Sequence, residues 1–398
     1  KKPNIVIVGG GFGGLKTALD LAKDKDIQVT LISDKDHFLY YPALYATATG
    51  QSHLQSVVEL ETILAFQPRI KLIVDEMTGL DTRRKHVVCK SGTHVDYDQL
   101  VLALGVVTSY FGIKGLDKYS YGIKSKAEID KFKDHLHDML SEDHHLDKHY
   151  VVVGAGPTGV ELAAALATYL KRIAKNHKVS RTNVRLSLVE ASPRVLPRMS
   201  DRASRLVHKR LEELGVKIQL NAKVEGEDDD EVIVNGKPLL SQTVIWTSGV
   251  SNHPFFAEHK DIFQLDKRGR VVVDGQMLAA KDIYVIGDNA STPYSGLAQT
   301  ALHDAIFVAR NLKRRRRKLP TKAYRSKSPP VVVPVGRNWA IFEWGPLRLR
   351  GRPAAWVRRA ADAIGYHDIL PIGQALSAWR AETVVEEDCP VCLDAIQS

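Results

Sequence analysis

Apolar residues fall into two rhythms along this chain of 398 residues. Short, nearly unbroken apolar runs read as buried strands: Asn4-Ile-Val-Ile-Val8, Val29-Thr-Leu-Ile-Ser33, Tyr150-Val-Val-Val153 and Leu186-Ser-Leu-Val189. Tyr97–Gly105, Thr243–Gly249 and Asp282–Asp288 are further runs of this kind. Between them the spacing becomes helical, through Leu15, Ala18, Leu19 and Ala22, and again from Val160 to Leu166, Tyr169, Leu170 and Ile173. Strands that alternate with helices predict an α/β fold with parallel sheets. No apolar run is long enough for a membrane-spanning helix.

Where two of these strands turn into helices, the same glycine pattern occurs about 145 positions apart. The first copy is Gly9-x-Gly11-x-x-Gly14 and the second is Gly154-x-Gly156-Pro157-Thr158-Gly159. Each joins a strand to a helix, which is the context a dinucleotide fingerprint requires. The first glycine makes the turn, the second admits a diphosphate to the backbone, and the third lets helix and strand pack closely. The helix N-terminus then faces the phosphate charge. A carboxylate ending the next strand should hold the ribose hydroxyls. Glu190 fills that place in the second copy, whereas Ser33 and Asp34 compete for it in the first. A carboxylate there favours NADH over NADPH, and Arg194 four residues on works against that preference. The small residues closing the other strands, Leu104-Gly105 and Ser248-Gly249, suit a chain passing beneath a bound dinucleotide. Gly287-Asp288 offers a carboxylate to a flavin ribityl hydroxyl.

Composition adds the setting. At 44% hydrophobic and 26% charged, the chain has the make-up of an ordinary globular protein. Three cysteines, Cys89, Cys389 and Cys392, make no disulfide framework. With no secretory apolar core at the start of the sequence, a cytoplasmic active site is expected. The net charge of +10 is concentrated late, in Lys313–Lys318 and in Arg348, Arg350, Arg352, Arg358 and Arg359. Such asymmetry suggests an anionic surface as partner. Without aromatic interleaving, a lipid-facing or solvated run is expected and nucleic acid is not.

Taken together, the chain resembles the two-dinucleotide flavoproteins and, among them, the type II NADH dehydrogenases, which are non-proton-pumping NADH:quinone oxidoreductases. Gly9–Gly14, His37-Phe-Leu-Tyr-Tyr-Pro42-Ala-Leu-Tyr45, Tyr97–Gly105, Gly156–Ala163, Val189–Arg194, Trp246–Val250, Gly287-Asp288 and Ala298-Gln299 carry the resemblance. It implies a split FAD domain, residues 1–110 and 265–312, an NADH domain at 111–264, and a membrane-associating region at 313–398. It implies hydride transfer from NADH to FAD and then reduction of a membrane quinone, in a homodimer at the cytoplasmic face of the membrane. FAD would meet Gly9, Gly11, Phe12, Gly14, Ser33, Asp34, Pro42, Leu104, Gly105, Gly287, Asp288, Ala298 and Gln299. NADH would meet Gly154, Gly156, Pro157, Thr158, Gly159, Glu190, Ala191, Ser248 and Gly249. Glu161, Gln299 and His303 would border the reacting rings, and Arg350 is a further quinone-site candidate. Relatives commonly read Ala-Gln-x-Ala-x-Gln-Gln where this chain has Ala298-Gln-Thr-Ala-Leu-His303-Asp304. By residue chemistry alone, Glu161 also reads as a first-turn acid favoured by the helix dipole.

Arg352–Ile364 predicts a short amphipathic helix with Trp356, Ala360, Ala363 and Ile364 on one face and Arg358 and Arg359 elsewhere. That suits a headgroup interface, or a helix packed on the core with solvated arginines. Cys389-Pro-Val-Cys392 supplies two of the four ligands a closed zinc site needs, so functionless cysteines and no metal are expected. His135, His137, His144, His145 and His149 lie among charged residues and predict a solvated helix and loop. Three alternatives stay open. Sulfide:quinone reductase needs cysteines beside the flavin, and a ferredoxin-reductase-like flavoenzyme matches His37–Tyr45 less well. The third is a non-enzymatic NADH-sensing flavoprotein with a basic binding surface.

Overall fold

The computed structural model describes residues 2–142, 145–180 and 184–397. Strand β1 (Asn4–Val8) leads into helix α1 (Phe12–Ala22), followed by β2 (Gln28–Ser33), β3 (Ile70–Val74) and β4 (Gln99–Leu102). Helix α2 (Lys126–Ser141) opens on a capping box, in which Ser125 and Glu128 satisfy one another's backbone N–H groups. A second unit repeats the first: β5 (His149–Val153), helix α3 (Pro157–Asn176), β6 (Arg185–Val189), helix α4 (Asp201–Glu213), β7 (Val216–Gln219) and β8 (Thr243–Trp246). The chain then returns through β9 (Leu278–Ala280), β10 (Ile283–Val285) and helix α5 (Ala298–Arg316).

These strands form two separate sheets. The first has the order β9-β10-β4-β1-β2-β3, parallel except for β9. The second has the order β7-β6-β5-β8 and is parallel throughout. In each, the strand that precedes a glycine turn has neighbours on both sides, so the turn emerges at the carboxyl edge where the strand order reverses. That crevice is where α/β sheets bind ligands. Near-complete burial of Ile5–Val8 and Tyr150–Val153 explains why the sequence shows unbroken apolar runs there and no alternation.

The late region is an antiparallel meander, β11 (Val331–Pro334), β12 (Ala340–Trp344) and β13 (Leu347–Gly351), followed by helices α6 (Arg352–Ile369), α7 (Ile372–Ala381) and α8 (Pro390–Gln397). Helix α6 corrects an expectation. The alternative of a core-packed helix with solvated arginines fails at Arg358, of which only 9% is exposed, while Trp356 and Ile364 are 70% and 64% exposed. The helix is turned with a charge inward and its apolar stripe outward. Leaving a side chain such as Ile364 in water forgoes about 1.5–3 kcal/mol.

Two further expectations change. The basic run is not simply solvated. Arg316 and Arg317 pair with Asp24, Arg315 donates to the Tyr284 hydroxyl, and Lys313 donates to the Asp20 carbonyl. Several of its charges therefore seam α5 to the first sheet and to the end of α1. The histidines are not a solvated group either. His135 bonds Thr243 and stacks on Tyr121, His149 bonds Ser187, and His137 is buried against Tyr169. His144 lies outside the described residues. Asp134 and Asp138, beside His135 and His137, lie exposed on the outer face of α2.

Candidate active site

The two glycine turns are built alike. Gly9 and Gly154 both have positive φ, +116° and +103°, and a Cβ would fall 2.1 Å from the Ala103 carbonyl oxygen or from the Ser248 hydroxyl. Gly14 and Gly159 pack so tightly that a Cβ would lie 1.9 and 1.8 Å from the carbonyl oxygens of Gly9 and Gly154. At Gly11 and Gly156 a Cβ would meet no protein atom within 4 Å. The chain itself thus forbids side chains at the outer glycines and leaves open space at the middle one. Helices α1 and α3 also begin without a side-chain cap or a first-turn acid. Their leading N–H groups suit a dinucleotide diphosphate. Pro157 and Thr158 are exposed at this mouth, and Phe12 packs edge-on against Phe38 below the first.

Strand register aligns the ends of β2 and β6. Val8 pairs with Ile32 and Val153 pairs with Val189, so Ser33 occupies in the first unit the place of Glu190 in the second. Ser33 is buried, and its hydroxyl donates to the Lys35 carbonyl at 2.7 Å. Asp34, one position further, is exposed. Glu190 accepts from the backbone N–H groups of Ala155 at 2.6 Å and Ser192 at 2.7 Å, which fixes the carboxylate over the second turn beside exposed Ala191. Arg194 donates to the carbonyls of Met199 and Pro197 and pairs with Asp201.

Gly105, three residues after β4, is held by a residue the sequence reading missed. The buried Asn289 side chain accepts from the Gly105 N–H and donates to its carbonyl. Leu104 is half-buried beside it. Gly249 plays the matching part after β8, where its carbonyl accepts from Lys124 at 3.1 Å. Asp288 accepts from the Gly296 N–H at 3.0 Å, and burial raises its pKa above the ordinary value. A second missed residue, Asp304, is fully buried below this loop. It accepts from the Gly287 N–H at 3.0 Å and from the Tyr324 hydroxyl at 2.6 Å, and burial pushes its carboxyl up to about 6. Its signal was present as an acid on the inward face of α5.

Ala298 and Gln299 start α5, half-buried and exposed respectively. His303, one turn on, lies against the following loop, where its Nε2 donates to the Arg325 carbonyl at 2.9 Å. That bond accounts for the ring without a substrate. Arg350 is exposed on β13 and, among the described residues, forms no hydrogen bond or ion pair with the other candidates.

Glu161 is buried on the second turn of α3, not in its first turn as the dipole reading required. Its partner is Arg358 from α6, 3.2 Å away. Arg358 also donates to Asp362 at 2.7 Å and to the Pro42 carbonyl at 2.6 Å, and Asp362 accepts from Tyr40 at 2.9 Å. Tyr40 stacks on Tyr366 with ring centres 4.1 Å apart. Burial pushes the Glu161 carboxyl up to about 7, against the opposing pull of Arg358. Three separated segments, 40–42, 161 and 358–366, therefore converge on one ionic network. The cysteines lie elsewhere. Cys89 is buried in a small meander, and Cys389 and Cys392 sit against His177 and His137.

Residues 3–305 match the pyridine nucleotide-disulphide oxidoreductase family. The type II NADH:quinone oxidoreductase Ndh of Mycobacterium tuberculosis is 31% identical over 79% of this chain and 73% of its own. The type II NADH:quinone oxidoreductase NdhA of the same organism is 29% identical over 94% of this chain and 86% of its own. NDH2 of Plasmodium falciparum, solved in complex with NADH, superimposes with a TM-score of 0.85 at 20% identity, covering 96% of this chain and 97% of that one. The chain belongs to the pyridine nucleotide-disulphide oxidoreductase family and, within it, to the type II NADH:quinone oxidoreductases.

Proposed function

We propose that this protein oxidises NADH and delivers two electrons to a membrane quinone through bound FAD, without pumping protons. The observation that carries the reading is the pair of register-equivalent glycine turns on separate parallel sheets, each open only at its middle glycine. FAD, when bound, supplies the hydride acceptor and the two-electron donor.

The residues act by holding and aligning. Gly11 and the N-terminus of α1 take the flavin diphosphate, Asp288 accepts from the ribityl chain, and Ser33 stands at the ribose with Asp34 beyond it. Gly156 and the N-terminus of α3 take the NADH diphosphate. Glu190 accepts from the ribose hydroxyls and repels a 2′-phosphate. Glu161 and Arg358 lie where the segment after β2, helix α3 and helix α6 meet, and they set the charge beside the reacting rings. Gln299 borders the quinone approach.

The outward stripe of Trp356, Ala360 and Ile364 on α6 and Ile372 and Leu376 on α7 supports contact with a bilayer, with Arg352 and Arg380 exposed on the same helices. Among the described residues no helix is long and apolar enough to cross a membrane. The reading is of a peripheral enzyme at the cytoplasmic face, assembled as a homodimer. The test is anaerobic: NADH should bleach the flavin absorbance, and a soluble quinone should restore it within the time of a turnover. Bleaching without reoxidation by quinone would refute the acceptor half of the proposal. A colourless protein that takes up no flavin would refute all of it.

A further inference from the structure

Away from the nucleotide turns, four metal-ligating side chains meet in one place. The ligand atoms of His137 on α2, His177 just after α3, and Cys389 and Cys392 at the start of α8 all lie within 4.8 Å of one another. Cys389 Sγ is 3.3 Å from His177 Nε2, and Cys392 Sγ is 4.0 Å from His137 Nδ1. A tetrahedral zinc with bonds of about 2.3 Å to sulfur and about 2.0 Å to nitrogen keeps its ligand atoms roughly 3.3–3.8 Å apart. The cluster is near that size already. Both cysteines and His137 are buried.

The surroundings have the form of a metal site's supporting shell. His137 turns its Nδ1 to the cluster and its Nε2 away from it. Nε2 lies 2.9 Å from the Tyr169 hydroxyl and 3.3 Å from Glu387, and Tyr169 in turn donates to Glu387 at 3.1 Å. Glu387 is nearly fully buried and is held by Arg172 at 2.8 Å. A carboxylate that orients the far nitrogen of a histidine fixes which nitrogen faces the metal.

We propose that His137, His177, Cys389 and Cys392 bind one structural zinc ion. Both thiols give up their protons on binding, and two thiolates with two neutral imidazoles leave the site without net charge. All four positions are filled by protein, so the ion stabilises and does not catalyse. The segment it fastens bridges both halves of the molecule. Its Val384 carbonyl and Glu386 carboxylate accept from Ser52, while the Glu386 carbonyl accepts from Lys133 on α2. Zinc would lock this strap between the 49–53 loop and helices α2 and α3.

Untagged protein purified anaerobically from zinc-supplemented cells should carry one zinc per chain by plasma mass spectrometry, independent of flavin content. Replacement by Co2+ should give absorption in the red, beyond the flavin bands, of the kind four-coordinate cobalt thiolate sites show. Cys392→Ser should lose the metal and Cys89→Ser should keep it. Glu387→Gln should release zinc to a competing chelator about 10–100-fold more readily. Should the cysteine variant fail to fold, titration of the Cys89→Ser protein's thiols with an organomercurial in the presence of a zinc dye should release one zinc per two thiols consumed. Trace zinc with no cobalt band, or a Cys389–Cys392 disulfide in the anaerobic protein, would overturn the proposal.

Discussion

Arg358 holds the Glu161 network together, and its removal can be worked through. Arg358→Met keeps most of the side-chain volume but deletes the bonds to Glu161, Asp362 and the Pro42 carbonyl. Breaking a buried pair from one side costs about 3–5 kcal/mol, because the remaining charge has no partner. That is a large share of the roughly 5–15 kcal/mol by which domains are stable. The loss should also depend on pH. The Glu161 carboxyl already sits at about 7 with its cation present, and without Arg358 it rises further. Between its unfolded value near 4.5 and this raised value, the folded state binds more protons than the unfolded state. Stability therefore falls as pH rises across that window, by at most roughly 1.4 kcal/mol per pH unit. Glu161→Gln in the same chain removes the cost of keeping that buried carboxyl protonated and should recover about 1–2 kcal/mol at neutral pH. Urea unfolding followed by flavin release and by circular dichroism, at several pH values, measures each quantity. A cost below about 1 kcal/mol, or no recovery in the double variant, would refute the network.

Four further outcomes follow from the geometry. Gly11→Val should fold with near-wild-type circular dichroism yet purify without flavin colour, because its side chain enters only the open space of the first turn. Gly14→Ala should instead lose several kcal/mol in unfolding, roughly 2 or more, because its Cβ strikes the Gly9 carbonyl. Glu190→Ala should raise KM for NADH by about tenfold, the worth of about 1.4 kcal/mol, while the KM for NADPH falls or holds. An equal rise for both would count against the ribose role. Replacing Trp356 and Ile364 together by Ser should weaken sedimentation with lipid vesicles by about tenfold or more while leaving turnover with a soluble quinone unchanged. Undiminished vesicle binding would move the membrane contact elsewhere.

Much of this molecule can be read from short-range pattern, and the limits of that reading are physical. The two glycine turns are legible because turn, open space and close packing all fall within six consecutive residues. Glu190 is legible for the same reason, since it directly follows a strand. The contest between Ser33 and Asp34 is not local. It depends on which residue of β1 pairs with Ile32, and register appears only when both strands are present. The placement of Arg358 could not be read because periodicity divides a helix into two faces without saying which faces inward. Where the apolar stripe is turned outward, the rule that arginine is solvated fails at Arg358. Asn289 and Asp304 went unseen because each serves a loop far away in sequence, 184 and 17 positions off. His137 and Cys392 meet across 255 positions, so no spacing rule joins them.

The inverted packing of α6 makes one rigid element serve two masters. The carbon skeleton that displays Trp356 on one side carries, two residues on, the cation that neutralises Glu161 on the other. With the membrane contact and active site as proposed, a push or tilt imposed by lipids at the outer side is transmitted within a single helical turn to the Arg358–Glu161 pair. Lipid thickness and headgroup composition are then expected to tune the flavin's midpoint potential, a coupling that detergent-solubilised preparations would lack.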